Sequence, residues 1–247
     1  MDDVVIYGAG GLGCLVQDIL LQRATNRPVA FLDSNPAKHG QIVMGLPVRG
    51  GTERIERLRD EGVTGVIVAI GDSVTRVALA ETLATRGLRL ISAIHPSASI
   101  APSAALGEHL IIGARVTICV HARIGAHSVL SAGSIAEHDN QVGRGVFLGP
   151  AVRLAGTVTV EDFATLGIGA SVIPGRRVGR GARVHPGAVV IHDVPRAATV
   201  GGIPATSTGG QYQLKSRTAM QITLSGPGSI WPAFPAPHAV AVGPDNR

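Results

Sequence analysis

Two signals dominate the chain. One is a glycine turn between a short apolar strand and a helix near the N-terminus. The other is an aliphatic residue at nearly every sixth position from Ile94 to Val190. Together they predict an α/β, Rossmann-like domain followed by a left-handed parallel β-helix of hexapeptide repeats. Composition agrees: hydrophobic residues are 45% but aromatics only 3%, so the core must be built from Val, Ile, Leu and Ala. Thirty-three glycines and 15 prolines supply turns rather than long helices. The boundaries read as 1–92 for the α/β domain, 93–205 for the β-helix and 206–247 for a flexible tail. The tail holds the only tryptophan, Trp231, which with Phe234 offers an anchor onto a neighbouring subunit.

In the first domain, VVIY (4–7) leads into GAGGLG (8–13), then into the helical pattern CLVQDILLQR (14–23) and the strand VAFLD (29–33). Gly8, Gly10 and Gly13, with Gly11 between them, fit G-x-G-x-x-G, and Asp33 follows 20 residues after Gly13. Such a turn lets backbone N–H groups approach a diphosphate at the positive end of a helix. A purely structural glycine turn is the plainer alternative. TGVIVAIG (64–71) reads as a buried strand, 74–87 as a helix and LRLISAI (88–94) as a last strand.

In the second domain, 16 of the 17 sixth positions are Ile, Leu or Val, and the exception is Ala136. A glycine follows the aliphatic seven times, and small residues recur four positions after it. One hexad makes one flat face and a corner, with Gly or Asn suited to the turn, and three hexads make an 18-residue triangular coil. Residues 18 apart therefore stack, about 4.8 Å apart in backbone. His138 then lies between Val120 and Gly156, Asp139 above His121, and His127 above His109.

The broken hexad carries SIAEHDNQ (134–141). His138 is placed at a corner, pointing outward, where a cleft between prisms would tune it as a general base. Asp139 can orient it only if the chain bends there, and Ala136 with Asn140 suggests a departure from the regular coil. Gly156, with no side chain over its N–H, could donate to an oxyanion near His138. Of the other histidines, His109, His121 and His127 share one hexad position, as an outward ladder or, less readily, a zinc site; no metal is expected.

Charge and cysteines narrow the classes. The net charge of +5 is mostly arginine without a dense basic run, which argues against nucleic acid and suits anionic small molecules, although a biased composition explains it equally well. Cys14 and Cys119 have no metal or redox spacing and read as packing residues. MDDVVIYGAG is not a signal peptide and no apolar run spans a membrane, so a cytoplasmic protein without membrane contact is expected.

The pieces GAGGLG, FLDSNPAKHG (31–40), GLPVRGG (45–51), AIGD (69–72), IHPSASI (94–100), AEHDNQVG (136–143), LAGTV (154–158) and VGGIPA (200–205) occur in order. In them the chain resembles the bacterial sugar acyltransferases typified by sialic acid O-acetyltransferase and by UDP-4-amino-sugar and GDP-perosamine N-acetyltransferases. The resemblance implies a homotrimer, acetyl-CoA lying along the β-helix between subunits, and a nucleotide sugar held by the α/β domain. It implies His138 as general base, Asp139 as its orienting acid and Gly156 as the amide at the thioester oxygen. Phe147 and Ile168 fall with the acyl-donor residues. Gly8, Gly10, Gly11, Gly13, Asp33, Ser34, Ile70 and Gly71 fall with the nucleotide-sugar residues. Three positions depart from the pattern: Leu12 and Phe147 stand where the family often has His, and Ser34 where it often has Asp. The implied reaction is direct acetylation of a sugar amine. O-acetylation of a sialic-acid-type sugar, a non-catalytic nucleotide-sugar-binding trimer, an NAD-dependent oxidoreductase and a zinc-dependent hydratase are the alternatives.

Overall fold

The computed structural model describes residues 1–208; the tail anchors Trp231 and Phe234 lie outside them. The first part is a parallel sheet in the order β2-β1-β5-β6. Its strands are β1 (Asp2–Tyr7), β2 (Asn26–Leu32), β5 (Gly65–Val68) and β6 (Arg89–Leu90). A two-stranded hairpin, β3 (Ile42–Val43) with β4 (Leu46–Pro47), hangs off the β2 side. The helices are α1 (Gly11–Arg23), α2 (Ile55–Asp60) and α3 (Ser73–Thr85).

Alternation along β1 sets the layers. Val4 and Ile6 pack with α1 residues Val16, Ile19 and Leu20. Val5 and Tyr7 face the other way, onto Ile55 and Leu58 of α2 and Ala80 and Leu83 of α3. The α1 face is also where the second part docks, since Ile111 and Val129 of the solenoid belong to the same apolar cluster.

From Ala93 the chain winds as a left-handed β-helix of two-residue strands on three faces. The first face begins at Ala93–Ile94, the second at Ser99–Ile100 and the third at Ala105–Leu106. Coils pair 18 residues on, as in Ile111↔Val129, Ile118↔Ala136 and Val142↔Val160, until the last, where Val178↔Val194 and Val184↔Val200 are 16 apart. The hexad aliphatics fill the prism, with Ile112, Leu130, Leu148 and Leu166 fully buried. Each such side chain contributes on the order of 1.5–3 kcal/mol of burial before chain entropy is counted.

Three sequence expectations change, and the turn residue is located. LRLISAI is not one strand: Arg89–Leu90 joins the α/β sheet and Ala93–Ile94 opens the solenoid. Thr206–Ser207 pairs antiparallel with Val200–Gly201, so ordered structure runs beyond 205. The turn does not sit on the glycine after the aliphatic. The left-handed conformation falls two residues later, at Gly133, Gly145 and Gly169, and at Arg115, His121, Asp139 and Thr157 elsewhere. The glycines after the aliphatic answer a different need, close approach of coils: a Cβ on Gly107 would lie 2.6 Å from the Ala126 nitrogen, and one on Gly113 2.7 Å from that of Ala132. Finally, His109 and His127 do not form an outward ladder. They are 1% and 3% exposed, because the α/β domain covers that corner.

Candidate active site

The coil is regular through SIAEHDNQ: Ile135 and Ala136 pair with Thr117 and Ile118 below and with Arg153 and Leu154 above. The expected departure is therefore absent, and the irregularity is one of side chains. Asn140 occupies the inward position that small residues hold in neighbouring hexads, and it is fully buried. Its amide nitrogen donates to the carbonyls of Glu137 (2.6 Å) and Ala155 (2.9 Å). Sequence reasoning missed this role of Asn140. The signal was available, as an amide at a position otherwise filled by Ala, Ser or Val.

The bend that Asp139 needs is the corner itself. Asp139 has φ +59°, a left-handed conformation costing a residue with a Cβ roughly 1 kcal/mol or more. The turn brings neighbouring side chains together: Asp139 Oδ2 lies 2.9 Å from His138 Nδ1, and Oδ1 lies 3.4 Å from Nδ1 of His121 one coil below. The hydrogen bond from His138, aided by His121, holds the Asp139 carboxyl below the usual aspartate range. A carboxylate accepts, so Nδ1 of His138 carries the proton and Nε2 is left as the free base.

Nε2 points at Gly156. A Cβ built there would overlap Nε2 and sit 2.5 Å from Cε1 and 3.0 Å from Cδ2 of the imidazole. Only a residue without a side chain lets the ring lie over this backbone. Asn140 and the Thr157 amide, which donates to the His138 carbonyl at 2.9 Å, hold the two segments together. The Gly156 amide donates to no group among the described residues. The corner leaves this amide unpaired in other coils too; what sets Gly156 apart is the imidazole beside it.

In the α/β domain the glycine turn divides its labour. A Cβ on Gly8 would come 2.5 Å from the Ala69 oxygen, and one on Gly13 would overlap the Gly8 carbonyl. These two are required by packing. Gly10 and Gly11 meet nothing within 4 Å, so the space over them is open. Gly10 caps α1 without a side-chain hydrogen bond, and the first turn holds no acid. The helix thus presents unpaired N–H groups to an anion.

Asp33 clamps this turn. Its Oδ2 accepts from the Ala9 amide (2.9 Å) and from Lys38 Nζ (2.7 Å), which also reaches the Ala9 carbonyl (3.1 Å). Burial opposes its ionisation, but Lys38 and the amides of Asn35 and Ala9 prevail and hold its carboxyl low. Lys38, unremarked in the sequence, thus places a cation at the turn. Ser34 Oγ lies 2.9 Å from the Tyr7 hydroxyl.

Ile70 and Gly71 follow β5. Gly71 lines an apolar cavity of about 370 Å³ with Leu12, Leu15, His95, Ile111, Val129 and Phe147, among others. Two departures from the family pattern, Leu12 and Phe147, thus share one wall. Phe147 and Ile168 are not brought to His138 within one chain. Phe147 lies on the first face and Ile168, 57% exposed, follows a strand of that face, whereas His138 and Gly156 follow strands of the second. Cys14 and Cys119 are unpaired. His109 and His127 meet, with ring centroids 5.0 Å apart, but His121 lies instead beside Asp139, and no group of three metal-binding side chains occurs among the described residues. No helix among them is long and apolar enough to cross a membrane.

Comparison with known proteins points the same way. Residues 3–83 match the PglD N-terminal domain. A crystal structure of a mutant of perosamine N-acetyltransferase from Caulobacter crescentus, in complex with CoA and GDP-perosamine, superimposes with a TM-score of 0.80, and that of PerB from the same organism, with the same molecules bound, with a TM-score of 0.79. PerB is 38% identical, over 85% of this chain and 98% of that one. The acetyltransferase domain of PglB from Neisseria gonorrhoeae FA1090, in complex with acetyl coenzyme A, is 27% identical with a TM-score of 0.57, over 83% of this chain and 98% of that one. Among curated proteins, serine acetyltransferase of Bacillus licheniformis is 42% identical over 72 residues, which is 26% of this chain and 33% of that protein.

Proposed function

Because the chain belongs to the hexapeptide-repeat family of bacterial sugar acyltransferases, we propose that it transfers an acetyl group from acetyl-CoA to an amino group of a nucleotide-linked sugar. The observation that carries this reading is the free Nε2 of His138 facing the unpaired Gly156 amide, with Asp139 on Nδ1.

The steps follow from these atoms. The sugar amine attacks the thioester carbonyl carbon. His138 Nε2 accepts the proton the amine sheds, while Asp139 keeps the Nδ1–H tautomer and stabilises the imidazolium. As the carbonyl oxygen gains charge, the Gly156 N–H donates to it, an interaction worth roughly 3 kcal/mol in such sites. Collapse breaks the C–S bond, and the proton on Nε2 goes to the departing thiolate. No acyl-enzyme forms. The acceptor's diphosphate is taken by the open backbone at Gly10–Gly11 and the start of α1, with Lys38 as counter-charge and the Asp33–Ser34 segment toward the nucleoside.

A homotrimer accounts for the placement of Phe147 and Ile168. In a cleft between two prisms, the second-face corner of one subunit meets the first-face side of another, so residues apart in one chain share a site. Both co-substrates are cytoplasmic metabolites, which sets the location.

The test is thiol release from acetyl-CoA with a panel of amino-sugar and hydroxyl-only nucleotide sugars, with products separated by mass. His138→Ala should lower kcat roughly 10²- to 10⁴-fold while leaving acetyl-CoA binding and oligomeric state intact. Full turnover in that variant would sink the mechanism, and turnover confined to hydroxyl acceptors would replace N- with O-acetylation.

A further inference from the structure

We infer that Arg76 is a positioning residue for acceptor binding: it locks the Ile70–Gly71 turn of the α/β domain to two successive coils of the β-helix. Arg76 sits in α3 and is 0% exposed. Its Nη1 donates to the carbonyls of Ile70 (2.8 Å) and Gly71 (3.2 Å). Its Nη2 donates to Ser73 Oγ (3.1 Å) and the Gly145 carbonyl (3.3 Å), and Nε donates to the His127 carbonyl (3.1 Å). Residues 127 and 145 occupy the same corner of consecutive coils, both in the left-handed conformation.

Among the described residues, no carboxylate forms an ion pair with this guanidinium, whose five hydrogen bonds all go to carbonyls or to Ser73 Oγ. Asp72, the acid next to α3, is engaged as the helix cap, accepting from the Thr75 amide at 2.8 Å. A buried cation without a partner is a poor stabiliser, and a long apolar side chain would fill the same space without the desolvation penalty. What the fork supplies is direction, with hydrogen bonds in fixed geometry to two separate parts of the fold.

A second grip acts just upstream of the same turn. The Val68 amide, at the end of β5, donates to His109 Nε2 at 2.9 Å. Since Nε2 accepts, the proton of His109 lies on Nδ1, which faces His127 Nδ1 at 3.0 Å. His127 Nδ1 must then accept, so its proton lies on Nε2. Two neutral imidazoles of the solenoid and one guanidinium from α3 therefore tie residues 68–71 to the solenoid. Gly71 is part of the cavity wall that includes Leu12 and Phe147. The lock thus sets the distance between the nucleotide-sugar turn and the β-helix wall that faces it.

This inference rests on the acceptor-site reading above, so its test has one arm that needs no substrate. Arg76→Lys keeps the charge but removes the fork. In that variant, backbone amides of residues 66–72 should exchange with deuterium faster than in the wild type, with other segments unchanged. Kinetically, the KM for the nucleotide-sugar acceptor should rise about tenfold while that for acetyl-CoA stays within about twofold. Unchanged exchange at 66–72, or an equal change in both KM values, would overturn the lock. If Arg76→Lys does not fold, His109→Gln loosens only the Val68 end and should give the same split at smaller amplitude; wild-type values in both readouts would be equally fatal. A wild-type protein that acetylates no nucleotide sugar would instead defeat the proposed function, and the exchange arm would still decide the lock.

Discussion

Gly156→Ala isolates the site's geometry from its chemistry. Gly156 is not among the residues with positive φ, so alanine suits the backbone and brings no conformational strain of its own. The added Cβ would lie 2.5 Å from Cε1 of His138, where carbon atoms rest at about 3.5 Å or more. The ring must therefore move by about 1 Å. The side chain of His138 is 52% exposed, so it can swing outward without disturbing the prism, but not while keeping its 2.9 Å bond to Asp139. A misplacement of about 1 Å costs on the order of 10²-fold in rate. Shading of the oxyanion donor adds to this, since losing such a donor costs roughly 10²- to 10³-fold. Initial rates of thiol release at saturating acetyl-CoA should fall at least about a hundredfold, with the melting temperature nearly unchanged. A variant that keeps more than about half of the wild-type kcat would refute the placement of the base against this backbone.

Asp139→Asn should lower kcat roughly ten- to a hundredfold, well short of the loss of about 10⁴ at a fully buried aspartate, because this carboxylate is 49% exposed; steady-state rates across pH would show it. Asn140→Ala removes two buried hydrogen bonds and leaves their carbonyls unpaired, so it should destabilise by about 1–3 kcal/mol and lower the melting temperature by a few degrees. Burial, aided by the Arg76 guanidinium and by the cost of placing a second charge beside His127, pushes His109 down to about 3. The unfolded chain therefore binds this proton first on acidification. Stability from this group is full above about pH 6.5 and is lost as pH falls toward 3, at up to about 1.4 kcal/mol per pH unit. Denaturant midpoints of the wild type and His109→Gln should converge as pH falls across that window, and parallel curves would argue against it.

The prism was legible because its interior is nearly homogeneous. A position that always faces inward shows its period without any knowledge of partners, and Ile112, Leu130 and Leu148 are buried as the rhythm requires. The pairing of His138 with Gly156 followed from the coil length alone. What escaped were features set by a second body or by backbone shape. His109 and His127 look like surface residues until the α/β domain is laid over their corner. Arg76 looks like an ordinary helix arginine until five acceptors converge on it. The left-handed corner falls on glycine in some coils, at Gly133, Gly145 and Gly169, but on Asp139 at the site, whereas the glycines that directly follow the aliphatics relieve coil contacts instead.

The fixed repeat of the solenoid makes its length a separate design variable from its chemistry. His138 and Gly156 need only be consecutive rungs, and the α/β domain grips the rungs at His109, His127 and Gly145, all before Gly156 in the chain. A duplicated 18-residue rung inserted after Val160 would lengthen the surface available to a long donor by about 4.8 Å and leave the base, the donor amide and the acceptor turn where they are. The same rung inserted between Leu130 and Ile135 would carry His138 away from the rungs of His109 and His127 by that distance, and would part Gly145 and Phe147 from the Arg76 fork and the α/β core. A ladder of identical steps can thus tolerate growth at one end and be inactivated by it at the other.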